Sequence, residues 1–180
     1  LPFAIDLIGH GKTDSPKDSK YYNCSSIVNQ INSVITFFNF KKIILAGYSM
    51  GGRVALSYSL KHLEKVSALI LESTTPGIED VEEKKKRVEH DLILAESILN
   101  DGVENFIEYW FSTPLFSSLK TLNNYLQIIE KRKTNNPIGL ANTLKSFSTG
   151  LMNSYWDKIG LLNVPVLLIT GSNDKKYTEQ

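Results

Sequence analysis

One cysteine in 180 residues, Cys24, excludes an intrachain disulfide and favours the cytosol as the chain's compartment. No apolar run is long enough to cross a bilayer. Residues 1–7 lack the charged region and cleavage site of a secretory leader. Neither sign of charge is in real excess: 20 Lys and Arg face 19 Asp and Glu, a net charge of +1. The charge balance therefore gives no basis for binding nucleic acid or an acidic surface. There is no opening methionine. The chain begins inside what reads as a strand, Leu1-Pro2-Phe3-Ala4-Ile5-Asp6, and ends in polar residues 175–180 just past another. Both termini read as cut from a longer protein.

What is present is organised around Gly47-Tyr48-Ser49-Met50-Gly51. The stretch fits G-x-S-x-G, and its flanks fit too. Lys42 to Ala46 is a short apolar run typical of a buried strand, and Met50 to His62 reads as a helix. Strand, sharp turn and helix form the setting of a nucleophile elbow. Such a turn lifts a serine hydroxyl above the sheet and aims the backbone N–H of Met50 at a developing oxyanion. The glycines are expected to leave room where a Cβ would collide.

Around this turn the chain alternates. An amphipathic helix is predicted over about 26–38, from the spacing of Ile27, Ile31, Val34, Ile35 and Phe38. Val66 to Leu71 and Val164 to Thr170 are further apolar strands. The pattern is that of an α/β fold with a doubly wound parallel sheet. From about 79 to 150 no strand is legible. Four helical stripes fill the gap: Val88, Leu92, Ala95 and Leu99; Val103, Phe106, Ile107 and Trp110; Leu119, Leu122, Leu126 and Ile129; Leu140, Leu144 and Phe147. The expected organisation is a core over 1–77 and 151–180, with a helical cap over 78–150 inserted between two strands.

A serine at neutral pH needs an imidazole, and the imidazole needs an acid to fix its tautomer. In this architecture the chain order is Ser, acid, His. Asp174, in a Gly-x-x-Asp turn just after what reads as a buried strand, suits the acid; Glu72 is the fallback and Asp157 a weaker choice. The histidine is missing: His10, His62 and His90 all precede Asp174. His10, between two glycines, reads as a loop residue whose ring ties backbone together. The sequence thus supplies Ser49, the Met50 donor and an acid, but not a full site. Arg53, one turn beyond Ser49, Arg87 on the first cap helix and Arg132 at the end of the third form a second set. Together they would suit a small-molecule substrate with several carboxylates. Trp110 is expected to be partly buried. No metal set and no cofactor motif is read.

The elbow Gly47 to Arg53 resembles that of the 2-succinyl-6-hydroxy-2,4-cyclohexadiene-1-carboxylate (SHCHC) synthase family of menaquinone biosynthesis. Asp6 to Gly11, Leu71 to Gly77, Arg87 to Asp91, Tyr109-Trp110 through Phe116, Arg132 to Leu144 and Gly171 to Tyr177 resemble it as well. The first and last of these are shared by α/β-hydrolases at large; Arg53 and the cap segments carry the narrower resemblance. It implies an α/β-hydrolase fold used as a cofactor-free cytoplasmic lyase, which removes pyruvate from the enolpyruvyl-bearing cyclohexene carboxylate SEPHCHC without an acyl-enzyme. It further implies that Ser49 is the base and Asp174 the acid, that Arg53, Arg87 and Arg132 hold carboxylates, and that Tyr48 and Trp110 line the site. The His-Gly oxyanion loop and the catalytic histidine of that family are not in this chain. Two other readings stay open: a serine esterase or C–C hydrolase of the same fold, and a non-catalytic binding module.

Overall fold

A computed structural model describes residues 2–178. They pack as two compact units, Leu1–Asn23 with Lys85–Ser148 and Cys24–Lys84 with Thr149–Gln180.

The second unit holds the sheet. Strands β1 (Ile43–Tyr48), β2 (Val66–Glu72) and β3 (Val166–Ile169) are all parallel, in the order β1-β2-β3. Helix α1 (Cys24–Phe37) precedes β1 and α2 (Met50–Lys61) joins β1 to β2. Parallel strands need such crossovers, and α2 supplies one within the unit. Helix α1 forms because Ile27, Val28, Ile31 and Ile35 fall on one face, and all four are buried. The core between α2 and the sheet is built from Ala55, Leu56, Leu69 and Leu71.

The register sets where chemistry can occur. Tyr48 pairs with Glu72, and Glu72 with Ile169, so the three strands end level. Ser49 and Ser73 leave the sheet side by side at this carboxyl edge. Ser49 N–H donates to the Glu72 carbonyl (2.8 Å) and Ser73 N–H to the Ile169 carbonyl (2.9 Å). Loops at the carboxyl edge of a parallel sheet are where such folds bind ligands.

The first unit is helical. Helix α3 (Val81–Ser112) kinks at Gly102, whose φ of 88° lies outside the helical region. The break expected near Asn100-Asp101-Gly102 is therefore there, and a glycine is what tolerates that φ. After a 3-10 segment, Pro114–Thr121, come α4 (Tyr125–Lys133) and α5 (Pro137–Ser146). Asn136 caps α5 by accepting from the N–H groups of Ile138 (2.9 Å) and Gly139 (3.2 Å). Ala95, Ile98, Val103, Ile107, Phe111, Ile129 and Ala141 form this unit's core. Residues from the chain's first segment belong to it too. Tyr22 is fully buried and donates to the Pro16 carbonyl (2.9 Å), while the Asn142 amide donates to the carbonyls of Pro16 and Lys17 (3.2 and 3.1 Å). No helix among the described residues is long and apolar enough to cross a membrane.

Four expectations are corrected. Residues 2–6 join no ladder: their apolar composition suits a strand, but no described strand pairs with them. The stripe Leu119 to Ile129 is not one helix; residues 122–124 separate the 3-10 segment from α4. On α3 the buried face runs through Asp91, Leu94, Ala95 and Ile98, while Leu92 and Leu99 are exposed. The apolar pattern missed this face because a carboxylate sits in it. Strand β3 is exposed along its length, not buried, because it is the edge of the three-stranded sheet and its face lies open among the described residues.

Candidate active site

Ser49 sits between β1 and α2 with φ 49° and ψ −109°. A non-glycine residue in the left-handed half of φ space stores roughly 1–3 kcal/mol of strain, which the surroundings must hold. Two contacts do so on the carbonyl side. Thr74 Oγ1 donates to the Ser49 carbonyl at 2.7 Å, and Arg53 N–H donates to it at 3.1 Å. Close packing does the rest. A Cβ on Gly47 would lie 2.3 Å from the Gly51 carbonyl oxygen, and one on Gly52 would lie 2.6 Å from Thr74 Cβ. A Cβ on Gly51 would meet nothing within 4 Å among the described residues. Of the motif's two glycines, only Gly47 is required sterically here, and Gly52 outside the motif takes the second role.

Met50 opens α2, so its N–H has no partner within the helix and points out of the first turn. The positive end of the helix dipole lies at the same place. Arg53 follows one turn later and is only 9% exposed. Tyr48, the last residue of β1, is exposed.

Asp174 is held at the same sheet edge. Its Oδ2 accepts the Ser73 hydroxyl at 2.7 Å. Its Oδ1 is buried and has no hydrogen-bond partner among the described residues. One oxygen is thus fixed and the other is a desolvated acceptor, the arrangement that suits a carboxylate meant to receive an imidazole N–H. Ser73 itself has φ 43°, a second strained serine one strand away from the first. Glu72 and Asp157, the weaker acid candidates, are exposed; the Glu72 carbonyl is engaged by Ser49 N–H, and neither carboxylate has a hydrogen-bond or ion-pair partner among the described residues.

The remaining candidates lie in the helical unit. Arg87, on α3, donates through Nε to both oxygens of Asp91, at 2.9 Å each. Arg132 lies in the last turn of α4, exposed, and its side chain has no hydrogen-bond or ion-pair partner among the described residues. Trp110 is half-buried as expected, stacked on Phe106 (5.7 Å between ring centroids) and tilted against Phe116 (6.0 Å).

Each of the three histidines has a setting of its own. His10 Nδ1 lies 3.1 Å from the Ile8 carbonyl, so that nitrogen carries the proton and ties the loop, as its setting between glycines predicts. Burial holds its pKa below the ordinary value against the raising effect of that bond; the Arg132 cation pushes the same way and Asp6 opposes it. His62 caps the end of α2 and packs on Tyr58, with Nε2 buried and unpartnered among the described residues. His90 is exposed on α3.

Sequence reasoning missed Ser73, Thr74 and Asp91. The first two had a signal: Ser73-Thr74-Thr75 is a hydroxyl cluster immediately after an apolar strand, at the edge where parallel sheets place chemistry. Asp91 had one as well, as an acid four residues after an arginine on one helix.

A strained serine on a strand–turn–helix, with an acid held at the carboxyl edge of the same parallel sheet, defines an α/β-hydrolase fold. The family model for the alpha/beta hydrolase fold matches residues 3–179, and the chain belongs to that family. Within it, the chain groups with the SHCHC synthases. It is 43% identical over 96% of its length to a Bacillus subtilis protein assigned as a 2-succinyl-6-hydroxy-2,4-cyclohexadiene-1-carboxylate synthase. It is 30% identical to a protein of Haemophilus influenzae with the same assignment, over 97% of this chain and 70% of that one. The structure of MenH from S. aureus superposes with a TM-score of 0.92 at 35% identity, covering 97% of this chain and 66% of that chain. The chain spans 64% of the Bacillus relative's length.

Proposed function

We propose that the protein carrying this chain is a carbon–oxygen lyase that eliminates pyruvate from SEPHCHC to give SHCHC, a cytoplasmic step of menaquinone biosynthesis. A ring C–H bond breaks, its electrons form a new ring double bond, and the C–O bond to the enolpyruvyl group breaks in turn. Pyruvate leaves as its enolate and is then protonated. Ser49 is the base at the ring proton. A histidine outside this chain takes the proton from the serine hydroxyl, and Asp174 Oδ1 orients that histidine. The Met50 N–H stabilises the negative charge that develops on oxygen. Arg53, Arg87 and Arg132 bind carboxylates of the substrate, and Tyr48 and Trp110 line its site. The reaction needs no cofactor.

The observation that supports this reading over ester hydrolysis is Arg53. An arginine only 9% exposed, one turn beyond the serine in sequence, suits an anionic ligand bound near the reacting centre. An esterase needs the serine, the acid and the oxyanion donors but no such cation. The test is made on the full-length protein. Pyruvate release from SEPHCHC, read by a coupled lactate dehydrogenase assay, is compared with hydrolysis of para-nitrophenyl acetate. Rapid pyruvate release with slow ester cleavage is expected. Brisk ester cleavage without pyruvate release would replace the lyase with an esterase.

A further inference from the structure

Asp91 is 1% exposed, in the middle of α3 and on that helix's buried stripe with Leu94, Ala95 and Ile98. A carboxylate is a poor choice there. Aspartate is unfavourable inside a helix, and an isolated charge is costly to bury. A leucine would continue the stripe at no such cost. Nor does the pair serve the helix, because an acid C-terminal to its base is the weaker order for an i,i+4 pair.

The partners of Asp91 show what it does. Both of its oxygens accept from Arg87 Nε, at 2.9 Å each. His90 Nδ1 stands 3.5 Å from Oδ1 and is itself exposed. Arg87 has five N–H donors in a planar fork, and Asp91 uses only the one on Nε. The terminal nitrogens have no other partner among the described residues, and Arg87 is 31% exposed. The carboxylate therefore anchors the guanidinium by its inner edge and leaves the outer edge, the one that grips carboxylates bidentately, available.

We propose that Asp91 is a positioning residue for substrate binding: by holding Arg87 Nε it fixes the plane of the guanidinium and presents the terminal nitrogens to a carboxylate of the substrate. The proposal rests on the reading of Arg87 given above. Preorganisation of this kind removes the entropy that a free arginine loses when it binds, so its effect falls on substrate affinity more than on turnover.

The test uses the full-length protein and four variants: Arg87→Ala, Asp91→Leu, Asp91→Asn and the double Arg87→Ala/Asp91→Leu. Each is assayed for kcat and KM with SEPHCHC and for Tm. Asp91→Leu keeps the buried stripe apolar but leaves the partly buried Arg87 without its carboxylate, so a lower Tm than the parent is expected and only folded protein is assayed. Asp91→Asn keeps the volume and one acceptor, and serves if the leucine variant does not fold. Asp91→Leu is expected to raise KM by about tenfold, as for directly contacting side chains, with kcat held within about twofold. The double variant should show the KM of Arg87→Ala alone, because the carboxylate acts only through that guanidinium. If Arg87→Ala raises KM while folded Asp91→Leu and Asp91→Asn do not, the positioning role is overturned and the reading of Arg87 stands. Effects on KM that simply multiply in the double variant would overturn it equally. If Arg87→Ala leaves KM unchanged, both fall together.

Discussion

Ser73 and Asp174 are joined by one hydrogen bond, from the serine hydroxyl to Oδ2 at 2.7 Å, while the other carboxylate oxygen stays buried and unpaired among the described residues. This bond fixes the rotation of the carboxylate. Ser73 makes this bond from a backbone with φ 43°, a value uncommon for a non-glycine residue. In the full-length protein, if it carries the proposed activity, Ser73→Ala should lower kcat about tenfold, the range for a hydrogen bond to a charged group, and leave KM unchanged. Steady-state kinetics on SEPHCHC decide it. An unchanged kcat would mean that Asp174 is oriented by something else.

The elbow's glycines give a prediction about stability. Gly47→Ala would drive a methyl into the backbone of Gly51 and Gly52, where nothing flexible can give way. Gly52→Ala would press on Thr74, whose hydroxyl holds the Ser49 carbonyl. Overpacking at such sites costs about 1–3 kcal/mol, and Gly47→Ala belongs at the upper end. Urea unfolding of the two variants should show that order, with Gly52→Ala also losing activity through the elbow. If both variants unfold with the parent, the close approach is not what selects glycine at these positions.

Much of this was legible in the sequence, and the reasons are local. The elbow showed itself because a strand, a strained turn and a helix must follow one another within a few residues, and glycine is the residue that permits the crowding at 47. The helical insertion was legible because Gly102 and Asn135-Asn136-Pro137 punctuate it chemically. Asp174 could be placed because an apolar strand ends just before it. What could not be read depends on contacts distant in sequence. Ser73 and Asp174 are 101 positions apart, so no spacing rule links them. The buried face of α3 was misplaced because it includes Asp91, which any hydropathy pattern assigns to solvent. Edge exposure of β3 could not be read either, since apolar composition records what a strand can pack against and not what lies on its other side.

His10 gives a prediction about pH. Burial lowers its pKa in the folded chain below the ordinary value of 6.5, with Arg132 adding to the effect. The unfolded chain therefore binds more protons between the folded pKa and about 6.5. Stability should be full above that window, fall as the pH drops through it, and level off below the folded pKa. His10→Gln should flatten this part of the profile. Tm measured from pH 7.5 to pH 4.5 checks the stability, and an NMR titration of the ring checks the direction of the shift. A His10 midpoint at or above 6.5 would contradict both.

The last prediction separates proton transfer from substrate grip within one turn of α2. Ser49 caps that helix and Arg53 lies in its first turn. Both are close to the reacting centre in the proposed mechanism, but they act at different stages. A base matters only as the proton moves, so Ser49→Ala should lower kcat by at least about 100-fold and leave KM nearly unchanged. A carboxylate-binding guanidinium acts in the ground state and the transition state alike, so Arg53→Ala should raise KM while kcat changes little. Arg53→Lys refines the point: it keeps the charge and loses the fork, and its KM should fall between those of the parent and Arg53→Ala. Because Arg53 is buried, each variant is first checked for an unchanged Tm. The two residues could exchange effects only if the assignment were wrong. A serine variant with normal kcat would remove the base, and an arginine variant that lost kcat alone would place the guanidinium on the transition state's charge instead of on the bound substrate.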